Sequence, residues 1–230
     1  MAPLLIQEVT RLVNLSGIYQ AIYTAGIKLP HPVCTALYFH RPLNFNKLLK
    51  CGFCGPSQVF DDSLSETTDA TTKLFPMIAE DIPQVTEKLG KFLGKFDICP
   101  EFSCETVGHL LGNRAGVVHS YVRKYGDNIL DFVSFYSVPT TVLGSDETIN
   151  VSYLFYYFSE SSESLRLLIS ECLQICRSLD FDVFNALDIM KNGEFFQELN
   201  FISGDGKLNY YLFNWKTTTI EPKANGFLLF

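Results

Sequence analysis

Asp182-Val-Phe-Asn-Ala-Leu-Asp188, Gly193-Glu-Phe-Phe-Gln-Glu-Leu199, Ser203-Gly-Asp-Gly206, Leu208-Asn-Tyr-Tyr-Leu-Phe-Asn-Trp215 and the closing Gly226-Phe-Leu-Leu-Phe230 decide how the chain is organised. Two apolar runs with strand character flank a short helix over 193–199, and a tight Gly-Asp-Gly turn leads into the second run. Gly204 and Gly206 permit positive φ and let another chain pass close to the backbone, and Asp205 sets a carboxylate there. The sequence stops on the apolar Phe230, so the chain end is expected to be tucked in together with its α-carboxylate. Burying a carboxylate is costly, and a functional role would explain it.

Working outward, the pattern alternates strands and helices. Residues 164–177 form the clearest helix, with Leu165, Leu168, Ile169, Cys172, Ile175 and Cys176 on one stripe. Residues 151–158 are a strongly aromatic strand. Residues 117–125 and 128–138 are strands joined through Tyr125-Gly-Asp-Asn128, a good hairpin turn. A short helix over 103–111 opens on a Ser cap. Before it, Glu80-Asp-Ile-Pro83 starts a helix whose apolar face is Ile82, Val85, Leu89, Phe92, Leu93 and Phe96. Residues 74–78 are strand-like despite Pro76. From 56 to 72 the composition shifts to Ser, Thr and Asp, which marks a linker. Upstream lie an amphipathic helix over 3–15, strands over 18–24 and 36–40, and a short helix over 43–51. The class is mixed α/β, with a largely antiparallel first half after the linker.

The 230 residues are 47% hydrophobic and 14% aromatic, ample for a sizeable core. No apolar run approaches membrane-spanning length, and the N-terminus lacks the features of a signal peptide. A net charge of −7 argues against nucleic acid or an anionic membrane as the main partner and suits a cationic ligand. Seven cysteines without framework spacing favour a reducing compartment, hence the cytoplasm. Cys51-Gly-Phe-Cys54 with His31, Cys34 and His40 invites a zinc reading, but a second ligand pair at finger spacing is missing, so no metal is expected.

The ordered set of segments resembles the glycylpeptide N-tetradecanoyltransferase (N-myristoyltransferase) family. The stretch from Asp182 to Phe230 is similar to that family's C-terminal region. Leu4-Leu-Ile-Gln-Glu-Val-Thr-Arg11, Gly17-Ile-Tyr-Gln-Ala-Ile-Tyr-Thr-Ala-Gly26, Leu29-Pro-His-Pro32 and Tyr38-Phe-His-Arg41 are similar to its middle. Asp131-Phe-Val-Ser-Phe-Tyr-Ser-Val-Pro139 also matches, so the resemblance extends over essentially the whole chain. It implies two similar acetyltransferase-like (GNAT-type) units. Residues 1–58 would finish the first, 59–72 would link them, and 73–230 would be a complete peptide-binding second unit. The family's acyl-CoA strand and basic loop are expected upstream of Ala2, which would be the remnant of the CoA loop.

The activity implied is transfer of a myristoyl group from myristoyl-CoA, a co-substrate and not a resident cofactor, to the N-terminal glycine amine of proteins. By the same resemblance, the α-carboxylate of Phe230 is the base and Thr24 lies near the glycine amine. Tyr38, His40, Phe53, Tyr136, Thr140 and Asn185 line the peptide groove, and Asp205 faces a basic residue further along the substrate. Thr140 stands where the family usually has Ser, and Phe39 where it often has Trp. Without the resemblance, His40 would be a satisfied structural histidine, Tyr38 and Tyr136 core aromatics, as would those of 153–158, and Asp205 a turn residue. The alternative function is a shortened, non-catalytic relative that binds peptides or a partner.

Overall fold

A computed structural model describes residues 2–53, 74–142 and 147–229 of the chain. The expected linker, Cys54 and Phe230 lie outside the described residues. Among the described residues, eight strands form one sheet in the order β1-β8-β2-β7-β6-β5-β4-β3. They are β1 (Ala21–Ala25), β2 (Cys34–Pro42), β3 (Phe75–Pro76), β4 (Val118–Tyr125), β5 (Asn128–Thr141), β6 (Thr148–Phe158), β7 (Val183–Leu187) and β8 (Ile202–Phe213). The helices are α1 (Ala2–Leu15), α2 (Phe45–Lys50), α3 (Ile82–Leu93), α4 (Cys104–Leu110) and α5 (Ser162–Ser178).

Local chemistry accounts for most of these elements. The turn between β4 and β5 places Gly126 at φ 59°, a conformation that glycine adopts without strain. Ser161 caps α5 by accepting from Ser164 N, and Ser103 caps α4 by accepting from Thr106 N. The expected stripe of α5 is buried, from Leu165 to Cys176, and α3 buries Val85, Leu89, Phe92 and Leu93. All five residues of β7 are buried, as expected of a central strand covered on both faces. It runs parallel to β6, reached through the α5 crossover, and antiparallel to β2. Strands β1 and β2 therefore belong to the same sheet as the strands that follow the linker.

A buried ion cluster ties β4, β5 and α5 together. Arg123 Nε donates to Asp131 at 2.7 Å and its Nη1 to Glu171 at 3.1 Å. Asp131 also accepts from the hydroxyls of Ser159 and Ser164. Two carboxylates held beside one guanidinium are tolerable away from water only with such pairing.

Three expectations need correction. The Gly-Asp-Gly segment is not a turn but part of the unbroken strand β8. Leu37 pairs with Lys207 and Phe39 with Ser203, so β8 bulges by two residues there while staying in the ladder. The helix expected over 193–199 is only a 3-10 turn, Asn192–Glu194. Positive φ at Met190 and Asn200 breaks helical continuation on either side, and Phe195 and Phe196 are buried by side-chain packing instead. The strand at 74–78 shrinks to two residues because Pro76 cannot donate to a ladder. The helix expected over 3–15 forms as α1; it buries none of its residues among those described, and Leu4, Leu5, Ile6, Val9, Leu12 and Leu15 are exposed.

Candidate substrate groove

The middle of the sheet gathers the residues expected to meet a peptide. On β2 the two-residue period sends Tyr38 and His40 to one face. His40 lies opposite Asn185 of β7, Asn185 opposite Tyr153 of β6, and Tyr153 opposite Tyr136 of β5. His40 Nδ1 is 2.6 Å from Asn185 Oδ1, and Asn185 is buried. An amide oxygen only accepts, so Nδ1 is the donor of this pair. The Tyr136 and Tyr153 rings stack at 5.3 Å, and Tyr38 meets Tyr153 edge-on at 6.3 Å. Phe53, beyond α2, closes one end edge-on to His40 at 5.6 Å.

Gly204 and Gly206 make this arrangement possible. A Cβ at 204 would overlap His40 Nε2 and lie 2.8 Å from its Cδ2 and 3.1 Å from Tyr38 O. A Cβ at 206 would lie 3.2 Å from Tyr38 Cδ2. What passes close to these glycines is thus the side chains of β2. Asp205 between them is exposed, where its carboxylate can meet a ligand.

Burial pushes the Tyr136 hydroxyl well above the ordinary tyrosine value, with Tyr38 and Tyr153 adding to the shift. Tyr38 is raised by burial and then by Tyr153. These phenols are therefore neutral near pH 7 and can both donate and accept.

The remaining candidates are dispersed. Thr24 is half-buried on β1, opposite Tyr210 of β8, and so lies beyond β8 from the groove. Asn209 Nδ2 donates to Ala25 O and its Oδ1 accepts from Thr35, which holds the end of β1. Tyr210 is buried, and burial raises its hydroxyl's pKa, with Cys34, Tyr156 and Tyr38 adding to the shift and the Asn225 side chain opposing it. Burial also raises the Cys34 thiol to about 11, keeping it protonated. Thr140 is exposed far along β5, its hydroxyl donating to Val138 O. Ala2 is exposed at the start of α1.

Tyr153 is the residue of this aromatic cluster that sequence reasoning missed by grouping it with the core aromatics of 153–158. The two-residue period of β6 carries the missing signal, but only once the pairing of β6 with β7 is known. A separate cavity of about 620 Å³ lies between the start of α2 and the segment entering β7, lined by residues including Arg41, Asn44, Lys47, Arg177 and Asp182. Lys47 there is bound to Asp182 at 2.6 Å, and Asp182 also accepts from Asn150 N and Asn44. Among the described residues, no group of three His, Cys, Asp or Glu is placed to hold a metal, and no helix is long and apolar enough to cross a membrane.

The fold is that of the acetyltransferases: a GCN5-related N-acetyltransferase from Anabaena variabilis superposes with a TM-score of 0.54 at 10% identity, covering 90% of this chain and 48% of that one. Within that class the agreement is far closer for one family. The profile described as Myristoyl-CoA:protein N-myristoyltransferase, C-terminal domain, matches residues 57–226, and the N-terminal domain profile matches residues 1–36. The chain belongs to the N-myristoyltransferase family. It is 42% identical to a probable glycylpeptide N-tetradecanoyltransferase of Caenorhabditis elegans, over 100% of this chain and 53% of that protein. Against the Plasmodium falciparum (isolate 3D7) glycylpeptide N-tetradecanoyltransferase the identity is 37%, over 100% of this chain and 58% of that protein. The Saccharomyces cerevisiae N-myristoyltransferase with bound myristoyl-CoA superposes with a TM-score of 0.85 at 35% identity, over 95% of this chain and 59% of that one. The chain thus spans about half the length of the curated relatives it matches.

Proposed function

We propose that this protein transfers a myristoyl group from myristoyl-CoA to the N-terminal glycine amine of protein substrates, the present chain carrying the peptide-binding half and the base. One observation carries the reading: Tyr38, His40, Phe53, Tyr136 and Asn185, picked out by resemblance from four segments, meet on one face of the sheet around Tyr153. A chance selection of strand residues would be scattered over both faces.

An α-ammonium has a pKa of about 8 and must lose its proton before it can attack. The Phe230 carboxylate takes that proton, the amine nitrogen bonds to the thioester carbonyl carbon, and the carbon–sulfur bond breaks; the second proton that the nitrogen sheds as the amide forms leaves with the CoA sulfur as its thiol. Thr24 hydrogen-bonds the amine as it enters. Tyr38, His40, Tyr136, Thr140 and Asn185 hold the peptide behind the glycine, with Phe53 as the end wall. Asp205 attracts a basic residue further along the substrate, which the net charge of −7 favours. Ala2, at the start of α1, borders the acyl-CoA site. The compartment is the cytoplasm, in keeping with the six free cysteines among the described residues.

The test incubates the protein with myristoyl-CoA and either a glycine-ended peptide carrying a downstream lysine or its alanine-ended twin. Mass spectrometry should find the acyl group on the first peptide only; equal modification of both would refute the assignment. A second reading, a non-catalytic peptide-binding relative, is favoured by the exposed apolar face of α1, which a partner would cover. Calorimetric binding of the glycine-ended peptide without transfer would select it.

A further inference from the structure

The cavity of about 620 Å³ beside α2 is separate from the aromatic groove. The two-residue period of β2 turns Arg41 to the opposite face of the sheet from His40. The cavity brings Arg41 together with Lys47 of α2 and Arg177 in the last turn of α5, against two carboxylates, Asp180 and Asp182. In a chain of net charge −7, a cavity lined by three cations and two acids is a local reversal of sign.

The two acids do little to close it to an anion. Asp182 is buried, and its carboxylate accepts from Lys47 Nζ at 2.6 Å, Asn150 N at 2.8 Å and Asn44 Nδ2 at 3.1 Å. Its lone pairs are engaged by that network rather than turned on the cavity. Asp180 is exposed, where water and salt screen it. The end of α5 does not present bare carbonyls either: those of Ile175, Cys176 and Arg177 accept from the amides of Leu179, Phe181 and Asp180. Arg41, by contrast, is only 2% exposed. Burying a guanidinium is costly unless acceptors surround it, and its fork of five N–H donors can take a ligand's oxygens in addition to any protein group. That fork matches the oxygens of a phosphate, and an ammonium such as that of Lys47 binds the same group as a point charge.

We propose that this cavity binds a nucleoside phosphate. Arg41, Lys47 and Arg177 take the phosphate oxygens, and the base rests on the part of the lining that Phe45 and Phe181 supply. The volume falls within the range of sites for small organic ligands and is far more than a bare phosphate ion fills. The proposal is independent of the acyl-transfer reading, and its test needs no enzymatic activity.

The 230-residue chain is titrated with AMP, adenosine and inorganic phosphate at constant ionic strength. Binding is followed by nitrogen-15 NMR of the side-chain amides of Asn44, Asn46 and Asn150, which line the cavity. AMP should shift these amides saturably and bind at least about tenfold more tightly than either of its parts. Arg177→Gln, at an exposed position, should weaken AMP by about tenfold, the worth of one hydrogen bond to a charged group. Arg41→Lys, which keeps the charge but loses the fork, should weaken it as well; if that variant does not fold, R177Q carries the test. Asp180→Asn should tighten AMP, and Lys95→Gln, the same charge change beyond the end of α3, should leave it unaltered. No saturable shift of these amides with AMP overturns the site. Weakening by K95Q equal to that by R177Q reduces the effect to general charge and overturns it too. Adenosine binding as tightly as AMP defeats the recognition of phosphate, and inorganic phosphate binding as tightly defeats that of the nucleoside.

Discussion

Replacing Gly204 with alanine adds a single methyl group, and the structure shows where it must go. The new Cβ would overlap His40 Nε2 and lie 2.8 Å from His40 Cδ2, well inside van der Waals contact, with Tyr38 O at 3.1 Å behind it. The ring cannot slide away from β8, because on its other side Nδ1 is already only 2.6 Å from Asn185 Oδ1. It must rotate out, giving up that bond and the edge-on contact with Phe53. The lost hydrogen bond is worth about 1 kcal/mol, and a buried amide oxygen left unpaired costs about 1–3 kcal/mol more. The reduced freedom of the unfolded chain returns about 0.4–1 kcal/mol. The net expectation is a destabilisation of about 2 kcal/mol, or about 4–8 °C in Tm for a domain of this size. Gly206→Ala meets only Tyr38 Cδ2 at 3.2 Å and should cost less than half as much. Thermal and urea unfolding of both variants, repeated in a His40→Ala background, isolates the contact. With His40 removed, G204A should keep only the smaller penalty of the Tyr38 O contact at 3.1 Å. A G204A protein as stable as wild type, or one whose full penalty survives H40A, would refute the close approach of β8 to His40.

Arg123→Met should be among the most damaging single changes, costing about 3–5 kcal/mol, because it leaves Asp131 and Glu171 buried with their shared cation gone. Asp131→Asn, which leaves the Arg123–Glu171 pair intact, should cost less, and urea unfolding giving the reverse order would contradict the cluster. Burial lowers the pKa of His119, whose ring stacks on Phe135 at 5.0 Å. The folded state thus favours neutral imidazole: its contribution is fully present above about pH 6.5 and is lost as pH falls through the lowered folded value. His119→Phe should flatten that part of the stability profile below about pH 6.5, and an unaltered profile would exclude His119 as its source. Adding one glycine after Phe230, in an enzyme that carries this chain together with an acyl-CoA-binding half, should leave unfolding unchanged and lower kcat by about a hundredfold or more. Wild-type turnover would remove the terminal carboxylate from the mechanism.

Much of the secondary structure could be read locally. The stripe of α5, the Ser caps of α4 and α5 and the Tyr125–Asn128 turn rest on contacts within a few residues, so propensity and periodicity report them directly. The family likewise followed from the sequence, because ordered short segments survive as recognisable strings, and the candidate residues of the groove came with them. Which of those residues meet was not legible. That depends on β2 lying between β8 and β7, a pairing between segments over a hundred residues apart in the chain. The same non-local pairing turned Gly204 and Gly206 from an apparent turn into a bulged strand that makes room for His40 and Tyr38, and placed Tyr153 between Tyr38 and Tyr136. A strand's period tells which residues share a face; only the neighbours chosen by long-range hydrogen bonding decide what that face meets.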